Sequence, residues 1–293
     1  MSKRRIRGWR RSETAAALAF TAPSLIGFAM FYLAPFAMGV YTSFTDRTQG
    51  GRFVGLQTYR ELLASSSFRK AASNTLLFTG IGVPLVLLLS LALALALNRR
   101  LPLRAFLRSA YVLPLVVPVA SVVAVWQIVF DWNGTMNLLL HRWGLTRVDW
   151  LQSEWAMGIV AAIYGWKNIG YDMILFLAGL QSIPQSYYET AKIEGAGRLR
   201  QFWHITWVYL TPTTFFVLLI STINSFKVFR ETYLLAGDYP YDRIYLMQHL
   251  MNNLFFSLQI EKLTAAATLM VGCIVLLVLA LQTIERRYRE SME

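Results

Sequence analysis

The chemistry open to this chain rests on polar and aromatic side chains set inside long apolar runs. Tyr164, Trp166, Lys167, Asn168, Tyr171 and Asp172 interrupt one run, and Ser221, Asn224, Ser225, Lys227, Phe229 and Arg230 close another. Polar groups in such runs are costly unless they face a cavity or a partner, so they mark the place to look for a ligand path. Aromatic faces beside amide and hydroxyl groups suit sugar rings, which carry apolar C–H faces and many hydroxyls. Lys227 and Arg230 lie three apart on one helical face. There they either meet an anionic substrate or snorkel to a membrane border. Lys167 and Asp172 are expected to pair with groups on neighbouring helices.

Bond-making chemistry finds no starting point. There is no Gly-x-x-x-x-Gly-Lys-Ser/Thr loop for nucleotide phosphates, no Gly-x-Ser-x-Gly elbow and no His-Glu-x-x-His pair. Cys273 is the single cysteine, and His141, His204 and His249 fall in separate segments. No ligand set for a metal results. The chain is expected to bind no cofactor and to catalyse nothing by itself.

A second feature is polar throughout. Tyr188-Glu189-Thr190-Ala191-Lys192-Ile193-Glu194-Gly195-Ala196-Gly197 separates two apolar runs and leads on to Phe202, Ile205 and Pro212. Pro184 can open a helix at its first turn. Gly195 and Gly197 permit the left-handed backbone that ends one helix before another begins. Phe202 and Ile205 give the second helix an apolar side. The expectation is a helix, a glycine break and a second helix, forming a handle that another protein can grip.

The elements that position these residues are set by composition. Hydrophobic residues make up 56% of the chain and charged residues 15%, against about 25% charged in an ordinary soluble domain. Mean hydropathy is +0.44. This is the composition of an all-α integral membrane protein. About 20 apolar residues in a helix cross a bilayer core. Six transmembrane helices are expected over residues 14–45, 74–98, 109–130, 156–180, 209–231 and 263–284. The first apolar run, with basic residues ahead of it over residues 1–13, exceeds the ~7–15 residues of a signal-peptide core. It is expected to stay as an uncleaved anchor.

Orientation follows from Lys and Arg, which are retained on the cytoplasmic side of a span. Lys3 to Arg11, Arg99 to Arg108, Lys192 to Arg200 and Arg286 to Arg289 fall on one side, against a thinner scatter (Arg47, Arg52, Arg60 and others) on the opposite one. Both termini, including residues 285–293, are thus expected to be cytoplasmic, with coupling helices over 184–208 on the same side. Outer loops are expected over 46–73, 131–155 and 232–262. The net charge of +12 does not imply nucleic acid, because the basic residues flank spans and do not gather with aromatics on a soluble face. Membrane lipid is the expected partner for them.

Two further elements are legible. Tyr59, Leu62 and Leu63, after a turn at Gly55, fall at helical spacing and predict a short amphipathic helix at the outer surface. It is either a docking surface or a lid on the bundle. Pro114 and Pro118 predict a bend in the third span, either as fixed shape or as a hinge.

The polar stretch resembles the cytoplasmic motif of permease subunits in binding-protein-dependent ATP-binding-cassette importers. That pattern is Glu-Ala-Ala, three residues, Gly, then nine residues and Ile-x-Leu-Pro; Glu189, Ala191, Gly195 and Ile205 occupy it, with Thr190 in the second place. Phe53-Val54-Gly55-Leu56, Asn74-Thr75, Leu113-Pro114 with Pro118, Ala178 to Pro184 and Pro212 to Phe216 are similar to the sugar branch, of maltose and glycerol-3-phosphate type. The likeness runs from Ala22 to Ile284. Trp207-Val208 stands in place of Leu-Pro, so the second handle helix is expected to continue into the fifth span. Glu194 replaces an Asp, and Asp238-Tyr239-Pro240 replaces Gly-Gly-Pro.

The resemblance implies a type I importer permease fold and a set of partners. These are a second homologous permease, two ATPase subunits that hold ATP and Mg, an external or periplasmic solute-binding protein, and a saccharide. It implies that Glu189, Ala191, Lys192, Glu194, Gly195, Ala196, Phe202 and Ile205 couple to the ATPase. It also implies that Tyr164, Trp166, Tyr171, Asn224, Ser225, Lys227 and Phe229 line the substrate pathway. The location implied is a bacterial inner membrane. An ion-coupled secondary transporter, or an importer of an acidic saccharide or glycerol phosphate, is the alternative.

Overall fold

The computed structural model describes residues 3–46, 51–99 and 102–290; Arg47 and Arg100 lie outside the described residues, as do 1–2 and 291–293 of the terminal basic segments. The first rod is α1 (Lys3–Phe28), a π turn (Ala29–Leu33) and α2 (Ala34–Thr42). The π turn falls where Pro35 removes the donor that would serve the Phe31 carbonyl. A two-residue hairpin follows, β1 (Thr45–Asp46) against β2 (Arg52–Phe53), with Thr45 opposite Phe53.

The amphipathic pattern becomes α3 (Gln57–Ala64), which buries Thr58, Tyr59 and Leu62. The Tyr59 hydroxyl meets Ser43 Oγ at 2.6 Å, fastening α3 over the end of α2. Leu63 is exposed, because the buried side of this helix is narrower than the spacing suggested. Next comes α4 (Ser66–Leu97), whose 32 residues reach about 48 Å at 1.5 Å each.

The third apolar run is two helices, α5 (Arg104–Val116) and α6 (Val119–Phe130). Val117 is extended, with φ −67° and ψ 134°, as the ring of a following proline requires. The arms Arg104–Val116 and Val119–Arg142 meet at 97°, far more than a proline bend. α7 (Thr135–Arg142) closes that arm. Buried Asn137 fixes the loop after it, donating to the Asp131, Trp132 and Val148 carbonyls and accepting from the Val148 N–H.

The remaining helices are α8 (Ala156–Gln181), α9 (Gln185–Ile193), α10 (Arg198–Gln201) with a π turn (Phe202–Thr206), and α11 (Trp207–Ser225). Then come α12 (Arg230–Ala236), a 3-10 turn (Asp242–Ile244), α13 (Met247–Phe256) and α14 (Ile260–Glu290).

Three buried clusters stack along α4. Phe68 and Ala71 pack with Leu250, Ala265 and Ala266 at its start; Phe78 and Val86 pack with Val160, Tyr164 and Ile244 in its middle. Ala94 and Leu97 pack with Met173, Phe176, Leu180 and Leu210 at its end. Between apolar helices in lipid, close backbone approach holds the contact. A Cβ on Gly170 would run into the Tyr111 carbonyl and one on Gly179 into Thr213. Ser90 Oγ donates to the Ile169 carbonyl at 3.0 Å. α8 is therefore the central helix, clasped by α4, α5 and α11.

Among the described residues four helical stretches are long and apolar enough to cross a membrane: Ala15–Thr42, Ser66–Leu97, Arg198–Ala236 and Ile260–Arg287. The bent α5–α6 pair makes a fifth if it is one span. α8 has the length, with 26 residues, but its polar middle lowers its hydropathy. Its charges are tolerated because they are held within the protein: Asp172 is buried and Lys167 mostly so.

Candidate functional site

The polar stretch folds into two arms joined by a tight turn. Pro184 is the residue just before α9, not its first turn. Gly195 is left-handed at φ +79°, whereas Gly197 is extended, with φ −67° and ψ 165°. Only one of the two glycines therefore supplies the reversal. The Gly195 N–H donates to the Lys192 carbonyl at 3.0 Å and the Ala196 N–H to the Ala191 carbonyl at 2.8 Å, the paired bonds of a Schellman turn. Gln201 Nε2 then donates to the Ala196 carbonyl at 2.7 Å, closing the loop on the second arm.

The second arm has no break. α10, the π turn and α11 run on from Arg198 to Ser225, with Phe202, Trp203 and Trp207 clustered at the π turn. Trp207-Val208, lacking a proline, lets the helix pass straight into the apolar run. The first arm is tied to this rod by the Tyr188 hydroxyl against Thr206 Oγ1 at 2.9 Å and by Tyr187 stacked on Tyr209 at 5.1 Å. These two contacts join α9 to α11.

The motif residues divide by exposure. Glu189, Lys192, Glu194 and Gly195 are exposed, while Ala191, Ala196, Phe202 and Ile205 are half-buried. Ile205 and Tyr188 pack on the cluster at the end of α4. Two large apolar side chains that the motif does not include stand out in the open: Ile193 is 88% exposed and Leu199 73%. Their signal in the sequence was an apolar residue beside charges on each side of the glycine turn.

The polar residues of the two interrupted runs are drawn to one region but not to one surface. Tyr164 is buried; its hydroxyl donates to the Ser221 carbonyl at 3.2 Å and its ring meets Phe78 edge-on. Ser225 is buried against Thr79 Oγ1 at 2.8 Å. Trp166 is 42% exposed and leans on Trp126, which stacks on Phe130. Tyr171 and Lys227 are exposed, Asn224 is half-buried, and Phe229 packs between Tyr233 and His249.

Asn224 to Arg230 spans a break. α11 ends at Ser225, α12 starts at Arg230, and Phe229 at φ −149°, ψ −53° turns the chain. Freed backbone groups at membrane depth need partners. Gln248 of α13 donates to the Phe226 carbonyl at 3.3 Å. Both interior charges are partnered: Lys167 with Glu231 of α12, and Asp172 with the Ser221 hydroxyl at 2.7 Å. Glu231 and Gln248 were not singled out in the sequence, because their partners are remote along the chain.

Residues 63–290 match the family of binding-protein-dependent transport system inner membrane components. The chain belongs to that family. It is 34% identical over 242 residues to the arabinooligosaccharides transport system permease protein AraP of Bacillus subtilis, covering 78% of this chain and 75% of that one. It is 31% identical over 276 residues to the sn-glycerol-3-phosphate transport system permease protein UgpA of Agrobacterium fabrum, covering 92% and 93%. In fold it is similar to a chain of a bacterial ABC transporter involved in the import of the acidic polysaccharide alginate, with TM-score 0.81, 24% identity and coverage of 96% and 99%. As a transport-system component of this kind, it is a multi-pass membrane protein and a permease, and the break at Phe226–Phe229 belongs to a transporter.

Proposed function

We propose that this permease is the membrane-spanning subunit of an ATP-driven importer that moves a saccharide delivered by a solute-binding protein. Six spans, with α8 as the fourth and the bent α5–α6 pair as the third, put both termini and α9–α10 on the cytoplasmic face of a bacterial inner membrane. The observation that carries this reading is the segment from Gln185 to Thr206: an exposed two-armed handle, closed by a Schellman turn and bonded to α11 through Tyr188 and Thr206. A separate ATPase dimer grips Glu189, Lys192, Glu194 and the turn at Gly195–Ala196, with Ile193 and Leu199 as added apolar contacts. The rod then carries closure of that dimer to the break at Phe226–Phe229.

A second, homologous permease completes the bundle. None of the apolar window in Ala15–Thr42 is buried within this chain, which leaves that window, though not the α2 end packed on α14, to lipid or to the second subunit. The pathway runs past Trp166, Tyr171, Asn224, Lys227 and Phe229, with Tyr164 and Ser225 holding its wall from behind. An oligosaccharide is the first substrate reading, supported by the similarity to AraP. Exposed Lys227 and Arg230, together with the similarity to UgpA, favour an acidic saccharide or glycerol phosphate as the second.

The test is ATP-driven uptake by the reconstituted complex, with its binding protein, across neutral and acidic saccharides. Glu189→Ala or Gly195→Pro should abolish uptake or copurification of the ATPase. Uptake that persisted without the ATPase and followed an ion gradient would overturn the proposal.

A further inference from the structure

Behind α9, between its inner side, the start of the α10 rod and the end of α4, lies a groove of about 540 Å³. Arg99, Lys192 and Arg198 line it together with Asn98, Gln185 and Gln201, over a floor that includes Leu95 and Leu180; no carboxylate lines it. One step away, Arg104 and Arg108 converge on the Gln181 carbonyl oxygen at 2.8 and 2.9 Å, with the amide oriented to receive them, and both Nε atoms are buried without a partner. Five cations therefore crowd the joined ends of α4, α5, α8, α9 and α10.

None of them makes an ion pair among the described residues. Among the described residues the ion pairs are Lys70–Asp242, Lys167–Glu231, Arg243–Glu154 and Lys262–Glu61, all at other places. Part of the crowding has a local cause: Lys192 is in the last turn of α9 and Arg99 just past the end of α4, where the helix dipole favours positive charge. Arg198 has no such cause. It is the first residue of α10, where the dipole opposes a cation. An anion in the groove would answer both the local repulsion and the position of Arg198.

We propose that this groove binds a phosphoryl group, carried either by an anionic phospholipid headgroup or by a soluble phosphate, and that the bound anion ties α9 and α10 to the end of α4. A phosphoryl group fits better than a carboxylate because its non-bridging oxygens are tetrahedral, two in a phosphodiester headgroup and more in a soluble phosphate, and so reach guanidinium donors on separate walls. The effect on transport rests on the coupling role assigned to α9; the binding itself does not.

The test uses the assembled complex with its ATPase subunits. Its melting temperature is measured in detergent against inorganic phosphate, with chloride at matched ionic strength as control. Its ATPase rate is measured in nanodiscs of phosphatidylcholine with and without phosphatidylglycerol. A saturable phosphate response that weakens about tenfold in Arg99→Gln and Arg198→Gln, and is recovered in Arg198→Lys, establishes a soluble source. A phosphatidylglycerol response lost and recovered in the same variants establishes a lipid source. If neither probe distinguishes the glutamine variants from the parent complex, the proposal fails. It fails equally if those variants shed the ATPase while neither probe acts, since the groove then receives an acidic segment of that subunit. ATP-driven uptake in the same variants reports separately on coupling, so a failure of the anion site leaves the role of Glu189 and Gly195 standing.

Discussion

Gly195 holds φ +79°, a conformation that costs an L-residue about 1 kcal/mol or more and that asparagine tolerates better than alanine. Gly195→Val should therefore lower ATP-driven uptake well below the level of Gly195→Asn at equal membrane abundance; equal uptake would show that the turn has no part in coupling. Gly170 answers to packing, since an added Cβ would strike the Tyr111 carbonyl where α5 crosses α8. Gly170→Ala is expected to destabilise by roughly 1–3 kcal/mol, the range for overpacked cores, seen as a lower melting temperature of the purified complex. His249 answers to pH. It is fully buried in α13, and burial pushes its pKa down from 6.5 to about 4. Its Nδ1 accepts the Leu246 N–H at 3.4 Å, which only the neutral ring can do. The unfolded chain takes up this proton near 6.5 and the folded one not until about 4. Stability is thus intact above about 6.5 and falls as pH drops towards 4. His249→Gln should flatten that part of a melting-temperature profile, and a profile as steep as the parent's would contradict the assignment.

At the scale of elements, what matters is which helices move as one. α9 and the rod from Arg198 to Ser225 are joined by few bonds, and the Tyr188 hydroxyl against Thr206 is the most direct. Tyr188→Phe keeps the ring on its apolar cluster and removes only that bond. The expected result is retained ATPase binding with fewer molecules transported per ATP, measured as uptake against phosphate release; an unchanged ratio would place the linkage in the Tyr187–Tyr209 stack instead. The elements themselves were legible to different depths. The handle could be read because a left-handed turn needs glycine and because Trp207-Val208 offers no proline to stop the helix. The site of the α5–α6 break could be read from Pro118, which holds Val117 extended, but not its 97° angle. That angle depends on what packs on each arm, such as Gln127 donating to the Leu234 carbonyl at 3.0 Å, a contact between residues far apart in the chain.

Across the whole molecule, α8 shows why spans and sites differ in legibility. Its neighbours in lipid announce themselves by apolar length, whereas α8 carries Lys167 and Asp172 and is held by contacts that no local pattern encodes. Tyr164 and Trp166 are two residues apart, yet one is buried against Phe78 and the other half in the open beside Trp126. Which polar residue of α8 is buried and which stays open is decided by its neighbours, not by spacing within α8. The same packing sets the Lys167–Glu231 pair, 64 residues apart, with both side chains mostly buried. This pair links the central helix to α12, just beyond the break at Phe226–Phe229. Removing one partner leaves a charge without a counter-ion in a medium that solvates it poorly, a loss of about 3–5 kcal/mol in buried pairs. Lys167→Met and Glu231→Leu are each expected to lower stability and uptake. The double replacement Lys167→Met with Glu231→Leu should recover stability, because no charge is then stranded. Uptake separates the remaining roles: if the pair also holds α12 in register with α8, the charge-reversed combination Lys167→Glu with Glu231→Lys should recover transport better than the apolar one. Equal transport by the two double variants would reduce the pair to charge neutralisation alone.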